Sequence, residues 1–372
     1  MKALNYKYLL ALVTVALMAS SSVYSTAQSR AFNDIKAIEH IKLAGVPWGM
    51  TFVSDEQLVV TLKEGSAWLL NTINGETREI LGLAEVAVSG QGGLLDVAVS
   101  PNYDQDQWLY FTYATRVKAG ATTALGRAKL VINNEKGPLQ LTNWQSLLVT
   151  DAGSHKGQHF GSRIAFDNSG HVFFGVGDRG DRENAQDLRN HAGKIIRLNL
   201  DGSIPADNPF VTNDKALAHI WSYGHRNPQG LVFDSKTKQL WSAEHGPRGG
   251  DEINLIEKGK NYGWPVVSFG KEYWGPIDIG EGTEKAGMQA PSYVYIPSIA
   301  PSFLLINNDQ FFLGALVKQH LNVVSIDGMG KLSERRYLES LSQRVRSMAI
   351  NSQGESFIAT DSGVVYRLKY IP

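Results

Sequence analysis

The chain has 372 residues, 36 Lys+Arg balanced by 36 Asp+Glu, 43% hydrophobic residues and no cysteine. Zero net charge leaves no electrostatic footprint for nucleic acid or an anionic membrane, and the missing thiols exclude disulfides, thiolate metal sites, iron–sulfur clusters and cysteine nucleophiles. The apolar fraction is too high for a disordered chain, no internal apolar run has the length of a spanning helix, and 37 glycines point to many turns.

Lys2 and Lys7 flank the start of an apolar stretch at 8–18, small residues follow at 19–22, and Ser25-Thr26-Ala27 offers a cleavage point. This tripartite form predicts a secretory signal over residues 1–27 and export to a periplasm, with an uncleaved anchor as the alternative. Residues 28–372 then read as a single domain. Within it a pattern recurs: an apolar strand, a polar turn and a second β-rich run, at 48–61, 95–113, 162–175, 229–243, 302–314 and 346–360. The period is roughly 57 residues, and third strands follow at 193–200 and 363–369. The expected fold is all-β, a six-bladed β-propeller of four-stranded antiparallel blades, rather than a pair of β-sandwiches. Such a fold places ligands on its axis, among loops from several blades.

Three polar, glycine-rich segments stand out. In Gly90-Gln-Gly-Gly-Leu-Leu-Asp96, adjacent glycines admit either a ligand close to the backbone or simply a tight loop, and Gln91 supplies a planar amide. In Gln158-His-Phe-Gly-Ser-Arg163, His159 enters a strand before a blade core and is either structural or a general base. The third segment runs through Arg226-Asn-Pro-Gln-Gly230, Glu244-His-Gly-Pro-Arg-Gly-Gly-Asp-Glu-Ile-Asn254 and Asn261-Tyr-Gly-Trp-Pro265. Its carboxylates and glycine-exposed carbonyls suit either salt-bridged loop packing or the hard oxygen shell of calcium. The other histidines lack zinc spacing and read as surface or packing residues. No phosphate loop, dinucleotide fingerprint or serine-hydrolase elbow is present.

Taken in order, these motifs, with Gly202-Ser-Ile-Pro-Ala-Asp-Asn-Pro-Phe210, resemble the soluble quinoprotein sugar dehydrogenases of the glucose/sorbosone dehydrogenase family. The resemblance spans nearly the whole mature chain. It implies a six-bladed propeller binding pyrroloquinoline quinone (PQQ) and Ca2+, and oxidation of the anomeric carbon of an aldose sugar to the lactone. By the same resemblance His159 takes the anomeric hydroxyl proton as hydride leaves for PQQ, Gln91 binds PQQ, and Arg226 with Asn227 contacts the quinone oxygens. The carbonyls of Gly246 and Pro247 hold a calcium that also ligates PQQ, Glu252 and Tyr262 match a second, structural calcium site, and Arg344 with Arg346 faces the PQQ carboxylates. Alternation along a strand turns those two arginines the same way.

The chain departs from the family in one blade, where Ala315-Leu316-Val317-Lys318 replaces Ala-Leu-Lys. Ala315, Leu316 and Val317 occupy the cofactor-binding stretch, but the lysine is displaced by one residue, which on a regular strand turns it to the opposite face. Either a bulge or loop restores Lys318, or Arg344 and Arg346 carry more of the anion binding, and PQQ binding is expected to be retained but weaker than with the lysine in register. Loops at 116–126 and 268–290, the latter with Tyr273 and Trp274, are expected to shape the sugar pocket. Electrons are expected to pass to an unidentified external acceptor, a quinone or cytochrome being candidates, and the expected state is a monomer or homodimer. A cofactor-free binding propeller and a calcium-dependent lactonase are the competing readings.

Overall fold

The computed structural model describes residues 32–132, 136–326 and 332–372; the signal at 1–27 lies outside the described residues. Regular secondary structure among the described residues is almost wholly β. After β1 (Asp34–Lys42) come β2 (Pro47–Ser54), β3 (Gln57–Leu62), β4 (Ser66–Asn71) and β5 (Thr77–Leu81), then β6 (Leu94–Val99), β7 (Trp108–Val117), β8 (Gly120–Val131) and β9 (Leu139–Val149). The next groups are β10 (Ile164–Phe166), β11 (His171–Val176), β12 (Lys194–Asn199) and β13 (Ile220–Tyr223), then β14 (Pro228–Asp234), β15 (Gln239–Glu244), β16 (Asp251–Ile256) and β17 (Tyr293–Tyr295). Last come β18 (Leu305–Asn307), β19 (Gln310–Ala315), β20 (His320–Ile326) and β21 (Leu332–Tyr337), then β22 (Val345–Ile350), β23 (Ser356–Thr360) and β24 (Val364–Ile371).

Each repeated hairpin read from the sequence is an antiparallel pair opening one quartet: β2–β3, β6–β7, β10–β11, β14–β15, β18–β19 and β22–β23. The quartets β2–β5 and β6–β9 are joined edge to edge by a short parallel pairing of β5 with β9. The quartet β22–β24 is completed by β1, which runs antiparallel to β24 from Asp34 opposite Ile371 to Lys42 opposite Val364. Pairing the first strand with the last places β24 inside the sheet and leaves β1 at its edge.

The cores lie between quartets. Val59 and Phe111 share one cluster, Tyr110 and Phe174 the next, Phe173 and Leu240 the third. Ala243 packs with Phe311 and Phe312 with Ile358, and the series closes on itself where Phe357 and Val365 meet Leu58 and Val60. A strand covered on both faces reads as a continuous apolar run, as in β11 (HVFFGV) and β19 (QFFLGA). Outer strands such as β9 alternate in burial because one face is wet.

The quartets meet at a polar centre around Arg163, just before β10. Its Nη1 bonds Asp96 Oδ1 at 2.8 Å, Nη2 donates to the carbonyls of Ser302 at 2.8 Å and Arg346 at 3.0 Å, and Nε donates to Ser302 at 3.1 Å and Gln229 at 3.3 Å. Trp48 Nε1 donates to the adjacent Ser162 Oγ at 3.2 Å, bringing in the first quartet. Replacing Asp96 with Ala leaves a buried guanidinium without its counter-charge, and we expect a loss of about 3–5 kcal/mol, read as a lower midpoint in urea unfolding. An unchanged midpoint contradicts this.

Candidate functional site

His159 lies in irregular backbone at 157–163 rather than in the expected strand, and it has a positive φ of 55°. Left-handed backbone disfavours a residue with a Cβ, so its neighbours must hold it. They do so densely. Gln91 Oε1 accepts the His159 N–H at 2.8 Å, Thr123 Oγ1 donates to the Phe160 carbonyl at 2.7 Å, and Thr112 Oγ1 donates to the Ser162 carbonyl at 2.8 Å. Arg179 lies 3.5 Å over the Phe160 ring and donates to the Gln158 carbonyl.

His159 Nδ1 is 2.6 Å from Asp178 Oδ1. Asp178 is itself fixed, since Gly180 N–H donates to Oδ1 at 2.7 Å and Trp264 Nε1 donates to Oδ2 at 2.8 Å. Burial alone raises the Asp178 pKa, but the hydrogen bond from His159 and that from Gly180 hold it below the usual carboxylate range. Burial lowers the His159 pKa, the Asp178 hydrogen bond opposes this, and the Arg226 and Arg179 charges add to the lowering. The imidazole is therefore neutral at pH 7, with Nδ1–H given to Asp178 and Nε2 left bare as an acceptor. Asp178 was missed in the sequence; its only signal was a carboxylate beside glycines in Val176-Gly-Asp-Arg-Gly180, after a strand.

This pair opens into a cavity of about 150 Å³ lined by Gln158, His159, Asp178, Arg226, Trp264 and Tyr273, among others. Arg226 Nη2 reaches the Tyr273 hydroxyl at 3.4 Å, and Arg182 with Glu272 forms a salt bridge at the rim. Trp274 does not line this cavity. Residues 116–126 belong largely to β7 and β8, so that expected loop is only a tight turn.

Beside it a cavity of about 230 Å³ collects Gln91, Asn227, Leu316, Arg344 and Arg346, with Trp48, Lys63, His245 and Asp361. Asn227 Oδ1 accepts from Gly161 N–H at 3.2 Å, which fixes the amide. The arginines converge as strand alternation implied, but on Asp361. Arg346 takes it with Nε at 2.7 Å and Nη2 at 2.8 Å, and Arg344 Nε joins at 2.7 Å. Arg346 also lies 4.5 Å over the Trp48 ring. Trp48, Lys63, His245 and Asp361 were not identified from the sequence, because they lie far apart along the chain: Trp48 and Lys63 in the first quartet, His245 in the fourth and Asp361 in the last.

Ala315 ends β19 and is buried away from this cavity, while Leu316, Val317 and Lys318 form a turn, with Val317 58% exposed. The face-switching argument for Lys318 fails because it applies to a strand. Lys318 is exposed and does not line the cavity at all.

A third cavity, about 20 Å³, is lined by Glu244, Gly246, Pro247, Glu252 and Tyr262, among others. Glu244 and Glu252 are directly opposite in the β15–β16 ladder. Burial and the adjacent Glu244 push the Glu252 carboxyl up to about 8. The Tyr262 hydroxyl donates to the Leu255 carbonyl at 2.5 Å and accepts from Glu257 N–H at 2.8 Å, so only its backbone carbonyl is left for an ion. Asp251 organises the turn by accepting the N–H groups of Gly246, Ile299 and Ala300 at 2.9, 2.8 and 2.7 Å. Among the described residues no three His, Asp or Glu side chains converge as a metal cluster, so a cation here depends on backbone carbonyls.

Comparison with known proteins places these residues in context. The aldose sugar dehydrogenase YliI of Escherichia coli (strain K12) is 36% identical over 337 residues, covering 88% of this chain and 90% of that protein. The crystal structure of the apo-form of the soluble aldose sugar dehydrogenase from Escherichia coli superposes with a TM-score of 0.85 at 33% identity, covering 91% of this chain and 99% of that one. The PQQ-bound aldose sugar dehydrogenase from Streptomyces coelicolor gives 0.75 at 25% identity, covering 90% and 98%. The profile "Glucose / Sorbosone dehydrogenase" matches residues 44–367, and the chain belongs to that family of sugar oxidoreductases.

Proposed function

We propose that the protein oxidises the anomeric carbon of an aldose to the lactone with PQQ and Ca2+, passing electrons to an external acceptor. The observation that carries this is the neutral His159 imidazole held by the Asp178 carboxylate beside Arg226, next to a cavity holding Arg344 and Arg346. A base, a fixed cation and an anion-binding wall together suit a proton-coupled oxidation and have no use in a plain binding module. The six cyclic quartets support a six-bladed propeller over residues 28–372, with the site at its centre. An exported, periplasmic location follows from the leader read in the sequence.

Residues on both sides fit the cofactor. Gln91, Asn227, Arg344, Arg346 and the Leu316 end of the 315–317 stretch line a chamber with two guanidiniums against one carboxylate, Asp361, so positive charge remains for a polycarboxylate. PQQ supplies the hydride acceptor there. For the ions, no hydrogen bond engages the carbonyls of Gly246 or Pro247 among the described residues, and Pro247 also lines the His159 cavity, while the space of about 20 Å³ beside Glu252 and Tyr262 suits a single water-sized ion. Gly246 and Pro247 would hold the calcium nearer the cofactor chamber. Glu252 and the Tyr262 carbonyl would hold the structural one, whose charge relieves the Glu244–Glu252 pair.

The rest is this chain's own work. Asp178 fixes the imidazole tautomer so that Nε2 faces the substrate and accepts the anomeric hydroxyl proton. Arg226, anchored through its N–H to Glu244 Oε2 at 2.8 Å, offers its guanidinium where negative charge develops. Tyr273, 67% exposed, gives the sugar an aromatic face at the mouth.

Purified apoprotein should reduce a redox dye with an aldose only when both PQQ and calcium are added. Lactone hydrolysis without PQQ would instead establish the lactonase, and no turnover with retained sugar binding would establish the binding module. His159→Ala should lower kcat about 10²–10⁴-fold with PQQ binding intact; near-normal turnover refutes the base.

Because His159 works only when neutral and its pKa is depressed, kcat/KM should stay level through pH 7 and fall on acidification only below 6.5. In Asp178→Asn the carboxylate that supports the imidazolium is gone, so this limb should move further down in pH while kcat drops. An upward move is the contrary result. Calcium should raise the thermal midpoint of the wild type, and Glu252→Gln should abolish most of that rise; an equal rise in both excludes Glu252 as a ligand.

A further inference from the structure

We infer that Lys63 is the third cation of the anion-binding chamber, taking the part for which Lys318 lies out of place. This rests on the cofactor reading above. Lys63 follows β3 directly and lines the same cavity as Arg344, Arg346, Gln91 and Asn227, whereas Lys318 does not. Its backbone is pinned on both sides, with its N–H donated to the Val46 carbonyl at 2.9 Å and its carbonyl accepting Leu94 N–H at 3.1 Å. The loop carrying Gln91 is shaped around it: a methyl group at Gly93 would overlap the Lys63 carbonyl and come within 2.9 Å of its Cγ. The second glycine of the Gly92-Gly93 pair is therefore explained by the approach of Lys63, a role the sequence reading left unassigned.

The charges in the chamber are unequally engaged. Asp361 is taken by Nε and Nη2 of Arg346 and by Nε of Arg344, and Arg344 Nη1 donates to the Leu316 carbonyl at 3.1 Å. No hydrogen bond or ion pair among the described residues engages the Lys63 ammonium. A flexible, strongly hydrated point charge at the wall of a cavity with excess positive charge is suited to a carboxylate of a bound polyanion. It adds the reach that two guanidiniums locked on Asp361 lack.

The test is direct binding. PQQ is titrated into calcium-loaded apoprotein, followed by quenching of tryptophan fluorescence, at low and high salt. Lys63→Met should bind PQQ about 10–100-fold more weakly than wild type and with a flatter salt dependence, Lys63→Arg should recover most of the affinity, and Lys318→Met and Val317→Lys should match wild type. A related quinone without carboxylates, 1,10-phenanthroline-5,6-dione, should not distinguish Lys63→Met from wild type. If Lys63→Met, with an unchanged thermal midpoint, binds PQQ like wild type, or if Lys318→Met carries the loss, the inference falls and the cofactor reading stands. If wild type itself binds no PQQ, both fall.

Discussion

Arg163 is shared by the rest of the molecule. A guanidinium buried this completely carries a large desolvation cost, and the single carboxylate of Asp96 with backbone carbonyls from three other quartets offsets it. A buried ion pair of this kind adds little net stability over an apolar packing of the same volume. What it does supply is geometry, because a planar donor fork accepts only one arrangement of the carbonyls around it. Those carbonyls belong to Gln229, Ser302 and Arg346, and the last of these places the backbone of a residue in the anion chamber. The same knot extends to Gln229, whose Nε2 donates to the Gly161 carbonyl at 2.8 Å, and so to the backbone holding His159. Structural centre and reactive residues are thus one hydrogen-bonded network.

That network explains how the chain tolerates unfavourable backbone at the site. Four positive-φ residues occur at Gly157, His159, Gly161 and Ser162, two of them non-glycine. Each non-glycine instance costs about 1–3 kcal/mol and persists only where the surroundings over-determine it. Here threonine hydroxyls from β7 and β8, the Gln91 amide and the Arg179 guanidinium all bind this segment. Rigidity is obtained by cross-bracing from neighbouring quartets, which lets a histidine sit in a short irregular stretch and still hold a fixed orientation towards Asp178.

The six hairpins were legible because they are periodic and local: each brings an apolar strand, a turn and a second strand within about fifteen residues. Membership of the His159, Arg226 and Asn227 cluster was legible through long motifs. What the sequence hid was contact between the connections at strand ends, within one quartet for Asp178 and Asp361 and between two for Lys63. Asp178 is nineteen residues from His159, in a segment with no pattern of its own, and Lys63 looks like an ordinary strand-end lysine until Gly93 is seen beside it. Asp361, which occupies both arginines, is likewise invisible to a strand-alternation argument that considers only one strand. Lys318 is a different case: it lies past the end of β19 in a turn, where successive side chains no longer alternate, and that turn does not bring the lysine to the chamber.

Net charge zero conceals a strong local separation. On one side of Arg226 and Asn227 lie Arg344, Arg346 and Lys63 against a single Asp361; on the other, buried Glu244 adjoins half-buried Glu252, whose pKa is raised by desolvation and then by the Glu244 charge. Each region is incompletely neutralised by the protein, and the two are of opposite sign. An anionic cofactor completes the first and a divalent cation the second, while Arg226 links the two, its backbone N–H on Glu244 and its Nη1 on the carbonyl of His245, a residue that lines the anion chamber. Under the proposed function the two ligands therefore bind to a shared electrostatic frame, and by linkage each favours the other to the same extent. A neutral sugar entering that frame disturbs neither balance, which is consistent with a substrate pocket in which the charges of Arg182 and Arg226 are matched by those of Asp178 and Glu272.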